Sequence, residues 1–174
     1  MYNEQMAKAY IYLQKNAEAI PFINELLKLN PANENFFKYL RQAIADDKKY
    51  VEEISKRKEL KNSLPGQRAI LDILQKEEFK AEFSNFIKPY FRKGLPSIFS
   101  EIRFLYANME KVKIIEEVLL INEKSLNEKS MFFDCSEKES PTCLLWNYYV
   151  LSMHFDRLGE FAKAIAYADL VRPF

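Results

Sequence analysis

Glycine is scarce in this 174-residue chain: Gly66, Gly94 and Gly159 are the only three. Tight β-turns need residues that accept positive φ, so the scarcity argues against a turn-rich β fold. It also excludes a Gly-rich phosphate cradle, including the Arg/Gln-x-x-Gly-x-Gly/Ala loop that holds acetyl-CoA in acetyltransferases. Cysteine occurs twice, as Cys135 and Cys143, with no companion pair. A disulfide framework and a four-ligand zinc site are not expected, and a reducing cytoplasmic compartment is. An excess of charge of one sign is missing as well. The 26 Lys and Arg against 25 Asp and Glu leave a formal net charge of +1. No global basic field recruits nucleic acid, and no specific DNA partner is expected. No apolar run approaches the roughly 20 residues of a membrane span. Met1-Tyr2-Asn3-Glu4 lacks the basic-then-apolar opening of a signal peptide. No Asn-x-Ser/Thr acceptor is present.

What is there is helical. Hydrophobic residues make up 48% and charged residues 29%, a balance that folds rather than stays disordered. Over 2–14, Met6, Ala9, Tyr10 and Leu13 recur at three- and four-residue spacing. Over 17–29, Ala19, Ile20, Ile23, Leu26 and Leu27 do the same, and Asn30-Pro31 stops that helix. Asn33 is placed to cap a helix with Phe36, Phe37, Leu40 and Ile44 on its face. A polar helix is predicted over about 47–60. Residues 61–68 are the clearest break, with Pro65-Gly66 as a turn, before a short apolar helix at Ile70–Leu74.

A strong stripe follows: Phe79, Phe83, Phe86, Ile87, Tyr90 and Phe91, with Pro89 expected to kink or shorten its helix. Lys93-Gly94 ends it, and Pro96 suits the first turn of a helix over 96–106. Val112, Ile115, Leu119 and Leu126 mark a helix over 109–128. A polar loop spans 129–140. Ser140-Pro141 then starts a helix to about 157, and a last helix covers 160–171.

Two hairpins share one register. Tyr10, Ala19, Ile23 and Pro31 fit the tetratricopeptide pattern: an aromatic late in the first helix, Ala nine residues on, a bulky residue four beyond, then Pro. Phe155 and Ala164 repeat the nine-residue spacing, with Gly159 at the turn and Phe161-Ala162 opening the second helix. Tyr10 and Phe155 lie 145 positions apart, whereas four periods of about 34 give roughly 136. The expected fold is therefore all-α: antiparallel tetratricopeptide-like hairpins stacked as a right-handed α-solenoid, irregular in the middle. Its divisions are hairpins over 1–60, a basic Pro-Gly break and short helix over 61–75, hairpins over 76–128, the loop at 129–140, and a closing hairpin over 141–174.

Catalytic chemistry is hard to place. His154 is the single histidine, on an apolar helix face; a core residue competes with a general base, which needs an oriented partner. Cys143 at a helix start is either a lowered-pKa thiol or a small buried hydrophobe. Cys135 in the polar loop is an exposed-thiol candidate without catalytic context. Glu116-Glu117 read most simply as a solvated helix face. Trp146, Tyr148 and Tyr149 are either a peptide-binding surface or packing between hairpins. Lys56, Arg57, Lys58, Lys61 and Arg68 cluster near the Pro-Gly break, with Lys48 and Lys49 upstream. They are a solvated helix end or a patch for phosphates, and without a base-reading element such binding is sequence-independent.

From residue 79 onward the chain resembles one family. The carrying segments are Glu78-Phe79-Lys80 to Phe91-Arg92-Lys93-Gly94, Leu95-Pro96-Ser97-Ile98-Phe99, Ile102-Arg103-Phe104-Leu105-Tyr106 and Glu110-Lys111-Val112 with Ile114 to Glu117. Pro141-Thr142, Leu144-Leu145-Trp146, Tyr148-Tyr149, His154-Phe155-Asp156 and Leu158-Gly159 complete them. Together they resemble the auxiliary, ribosome-anchoring subunit of NatA-type N-terminal acetyltransferase complexes. Residues 1–60 match only as degenerate repeats with an Asn-Pro-x-Asn turn.

The resemblance implies a cytoplasmic, non-catalytic scaffold without a cofactor. Such a subunit holds a catalytic acetyltransferase subunit and anchors it to the ribosome for co-translational acetylation of nascent chains. Chains of that family are several-fold longer, so an interior or truncated segment ending at Pro173-Phe174 is expected. The alternative is a stand-alone tetratricopeptide adaptor, co-chaperone-like, that captures peptide C-termini with a Lys/Arg/Asn clamp. An all-helical enzyme is the third reading, and no site supports it.

Overall fold

The computed structural model describes residues 2–172; the expected end at Pro173-Phe174 lies outside them. Among the described residues there are eleven α-helices, one 3-10 helix and no strand. None of these helices is long and apolar enough to cross a membrane. The chain divides into two compact units, Met1–Leu74 and Gln75–Phe174.

The first unit holds α1 (Tyr2–Tyr12), α2 (Asn16–Leu29), α3 (Glu34–Ala43), α4 (Asp47–Ser55), α5 (Lys58–Lys61) and α6 (Leu64–Ile73). Ala7 on α1 and Ala19 on α2 are fully buried, so the hairpin's two helices approach closely, and Tyr10 stacks on Phe22 with ring centroids 5.6 Å apart. The buried face of α1 is rotated from the expected one. Ala7 is inside, whereas Ala9 and Leu13 are exposed, because the helix ends at Tyr12 and Leu13 belongs to the turn. Asn33 caps α3 through a bond from the Asn35 N–H, and Asp46 caps α4 through one from Lys49.

The predicted helix over 47–60 is two helices, broken at Lys56-Arg57, where Arg57 is extended (φ −116°). Ile54 and Leu60 are both buried. In an unbroken helix they would point about 120° apart; the break brings both into one core. Pro65-Gly66 is not a turn. It forms the first turn of α6, with Ser63 Oγ accepting from the Gly66 N–H at 3.1 Å. A Cβ on Gly66 would lie 1.9 Å from the Leu60 carbonyl oxygen, so close approach and not positive φ requires glycine there.

The second unit holds α7 (Lys76–Lys93), α8 (Ile98–Ile102), a 3-10 helix (Arg103–Ala107), α9 (Met109–Lys129), α10 (Pro141–Arg157) and α11 (Phe161–Val171). Pro89 does not shorten α7, which continues four residues beyond it. An internal proline costs about 3 kcal/mol. Burying Phe86, Ile87 and Phe91 around it returns about 2 kcal/mol each, so the continuous helix wins. Gly94 ends α7 in the left-handed region (φ 63°), and Trp146 Nε1 lies 3.0 Å from where its Cβ would be.

The predicted helix over 96–106 is shorter than expected. Pro96 sits in the preceding turn, and the helix tightens to 3-10 at Arg103, which buries Leu105. Ser140 caps α10, with Pro141 in its first turn, and Gly159 (φ 78°) turns the chain into α11.

The loop between α9 and α10 is polar in composition but anchored. Phe132 is buried against Phe91. Asp134 accepts from Lys88 Nζ at 2.7 Å and from Ser84 Oγ at 2.8 Å. Arg92 forks onto Glu139, its Nε reaching both carboxylate oxygens.

Candidate functional site

The structure separates the two repeat registers into different units. Tyr10, Ala19 and Ile23 occupy α1 and α2, and Pro31 lies in the turn after them, where Asn30 Oδ1 accepts from the Ala32 N–H. Phe155 and Ala164 are buried between α10 and α11, and Gly159 is the turn between those helices.

The basic cluster is largely engaged by carboxylates. Arg57 pairs with Glu53 at 2.9 Å and also reaches Asn24, Lys56 pairs with Glu53 at 3.2 Å, and Arg68 pairs with Glu34 at 2.9 Å. Lys58 and Lys61 are exposed, as are Lys48 and Lys49. The five residues therefore present less positive charge than their count suggests.

His154 has the oriented partners that the sequence did not reveal. Tyr106 Oη lies 2.7 Å from Nδ1 and Glu116 Oε2 lies 3.3 Å from Nε2. The ring is fully buried, and burial holds its pKa below the ordinary histidine value against the opposing pull of Glu116. It is thus a neutral core histidine. Glu116 is half-buried against His154, whereas Glu117 lies on the exposed face and takes Lys80 at 2.7 Å. Cys143 is buried, and burial pushes its thiol up to about 11, opposite to an activated nucleophile. Cys135 is half-buried rather than exposed. Trp146 packs over Gly94 and edge-on to Tyr149, and the Tyr148 hydroxyl meets Asn127, which places these rings in packing between helices.

One groove was not legible in the sequence. It lies between α9 and α11 within the second unit, holds about 510 Å³, and is lined by Glu116, Leu120 and Glu123 on one side and Lys163, Ala166, Tyr167 and Leu170 on the other, over Phe155. Tyr167 Oη donates to Glu123 at 2.8 Å, and the Tyr167 ring stacks on Phe155 at 5.6 Å. Lys163 lies 4.8 Å over the Phe155 ring and pairs with Glu160 at 2.6 Å. The weak signal that could have found it is the i, i+4, i+7 set Glu116, Leu120, Glu123, an apolar residue between two carboxylates on one helical face. Among the described residues no group of three His, Cys, Asp or Glu side chains is placed to hold a metal ion.

Paired antiparallel helices closed by small residues, with aromatic stacks across each pair, define a helical-repeat protein of tetratricopeptide type. The family model described as N-terminal acetyltransferase A, auxiliary subunit, matches residues 1–171, and the chain belongs to that family. It is 31% identical over 180 residues to the Arabidopsis thaliana N-terminal acetyltransferase A complex auxiliary subunit NAA15, covering 97% of this chain and 20% of that protein. It is 33% identical over 159 residues to the Homo sapiens N-alpha-acetyltransferase 16, NatA auxiliary subunit, covering 87% of this chain and 18% of that one. The chain thus spans about a fifth of the length of these relatives. A chain of the solved structure described as Naa15/Naa10 bound to HypK-THB superimposes with a TM-score of 0.70 at 23% identity, over 95% of this chain and 25% of that one. That likeness establishes the fold as the all-α, tetratricopeptide-like solenoid class.

Proposed function

We propose that this chain is part of a non-catalytic scaffold that holds a catalytic N-terminal acetyltransferase subunit and places it at the ribosome. The observation that carries the reading is the family match over 1–171. Support comes from the fold likeness to a chain solved in a complex described as Naa15/Naa10, and from relatives named as auxiliary subunits. The mechanism is positional. Buried hairpin faces supply stiffness, and the side chains between helices are committed to packing, so rigid outer faces present the partner. Co-expression with the catalytic subunit followed by gel filtration tests it. Co-elution is expected; a folded chain that elutes alone overturns the reading for this segment.

The ribosome contact and the cytoplasmic setting belong to the same proposal. The exposed cations Lys48, Lys49, Lys58 and Lys61, with the more engaged Lys56, Arg57 and Arg68, are the surface that would meet phosphates. Replacing Lys56, Arg57, Lys58, Lys61 and Arg68 by Ser is expected to flatten the salt dependence of ribosome co-sedimentation. An unchanged slope removes the patch from the proposal.

A further inference from the structure

We infer that the groove between α9 and α11 is a docking site for an amphipathic helix carrying two cationic side chains one heptad apart around an apolar one. Glu116 and Glu123 stand seven residues apart on one helix, about 10 Å along its axis. Neither carboxylate forms an ion pair with a lysine or arginine within the groove. Glu116 meets the uncharged His154, and Glu123 meets the Tyr167 hydroxyl. The one lysine on the opposite wall, Lys163, pairs with Glu160 and feels the Glu116 charge without forming an ion pair with it. Both carboxylates are therefore held in place by these hydrogen bonds, and Leu120 sits between them, 37% exposed.

Across the groove Leu170 is 52% exposed, so an apolar strip runs the length between the charges. Charge complementarity fixes the occupant's sign, and the heptad spacing fixes its periodicity: Lys or Arg at i and i+7, with Leu or Met at i+3 or i+4. An extended strand is disfavoured, because the described residues offer no sheet edge for it to join. The Phe155–Tyr167 stack and the hydrogen bonds to both carboxylates set the walls before anything binds, which lowers the ordering cost of association. The inference stands independently of which protein supplies the helix.

The test is fluorescence anisotropy of this chain with a labelled, alanine-rich helical peptide bearing Lys at i and i+7 and Leu at i+3 and i+4. The same peptide with Glu in place of Lys is the control. Binding of the basic peptide is expected to weaken about tenfold in the Glu116→Gln/Glu123→Gln protein, and by a similar factor between low and physiological salt. Leu120→Ser, at an already exposed position, is expected to weaken it without altering the circular dichroism spectrum. Equal binding of the acidic peptide, or undiminished binding by folded Leu120→Ser, overturns the assignment. So does concentration-dependent self-association that Leu120→Ser abolishes, since the groove would then be filled by a second copy.

Discussion

The two units solve the burial problem differently. No polar or charged residue is buried among the described residues of Met1–Leu74, where the core is Ala19, Ile23, Leu27, Phe37, Leu40, Ile54 and their neighbours. Even Tyr50, whose hydroxyl is pushed up to about 12 by burial, spends its donor on the Phe37 carbonyl. In Gln75–Phe174, Ser84, Lys88, Lys111, Asn122, Asn147 and His154 are all buried. Lys88 and His154 are paired there, whereas Asn122 Nδ2 and Asn147 Oδ1 have no hydrogen-bond partner among the described residues. An apolar core tolerates substitutions that keep its volume, whereas buried polar pairings fix one arrangement and penalise the loss of a partner. The first unit is thus held together by packing, and the second also by specific pairings.

The largest break in this contrast should come at Lys88. Its side chain is 7% exposed, and Asp134 supplies the carboxylate. Asp134→Ala leaves a buried charge unpaired and is expected to cost about 3 kcal/mol in urea unfolding. Lys88→Met/Asp134→Leu should recover most of that loss. Glu53→Gln in the first unit, at a pair about one-fifth exposed, should cost under about 1 kcal/mol. If the two single variants cost the same, the contrast between the units fails.

Next come the glycines. Gly66→Ala drives a methyl into the Leu60 carbonyl and should cost about 2–3 kcal/mol, seen as lost hydrogen-exchange protection in α5 and α6. Gly159→Ala meets nothing within 4 Å and pays only for its positive φ, about 1 kcal/mol. The helix caps sharpen the comparison by being alike. Asn33→Ala and Ser140→Ala should each cost about 1 kcal/mol, one in each unit, by thermal melting.

The smallest effect is that of pH. His154 has a folded pKa below its reference of 6.5, so the unfolded chain takes up the proton first. Its contribution to stability is complete above about pH 6.5 and declines as pH falls through that value. Hydrogen exchange at pH 5.5 and 8 should show the decline in the second unit. His154→Gln should flatten it.

Local chemistry was legible and distant pairing was not. Asn33, Ser140-Pro141 and Lys93-Gly94 act within one helical turn, so the residues alone announce the helix ends they make. Ser63-x-Pro65-Gly66 suits a turn and a helix start equally, and only the Leu60 carbonyl against Gly66 decides between them. Pro89 would break an exposed helix; burial of phenylalanines on both sides of it reverses that outcome. The partners of Lys88, Arg92 and His154 lie 38 to 48 positions away, and no spacing rule connects them. The basic cluster looked stronger in sequence than in space for the same reason, because Glu34 finds Arg68 only after folding. The groove between α9 and α11 needed the pairing of two helices whose sequences never meet.

The anchored loop after α9 has a kinetic consequence. Asp134 and Glu139 reach residues 46 to 50 positions back along the chain, so these contacts form only once α7 and α9 are already side by side. Contacts made after the rate-limiting step leave the folding rate unchanged and slow unfolding instead. The loop then behaves as a latch on a finished structure. Added salt should speed its release while leaving the approach to the native state untouched.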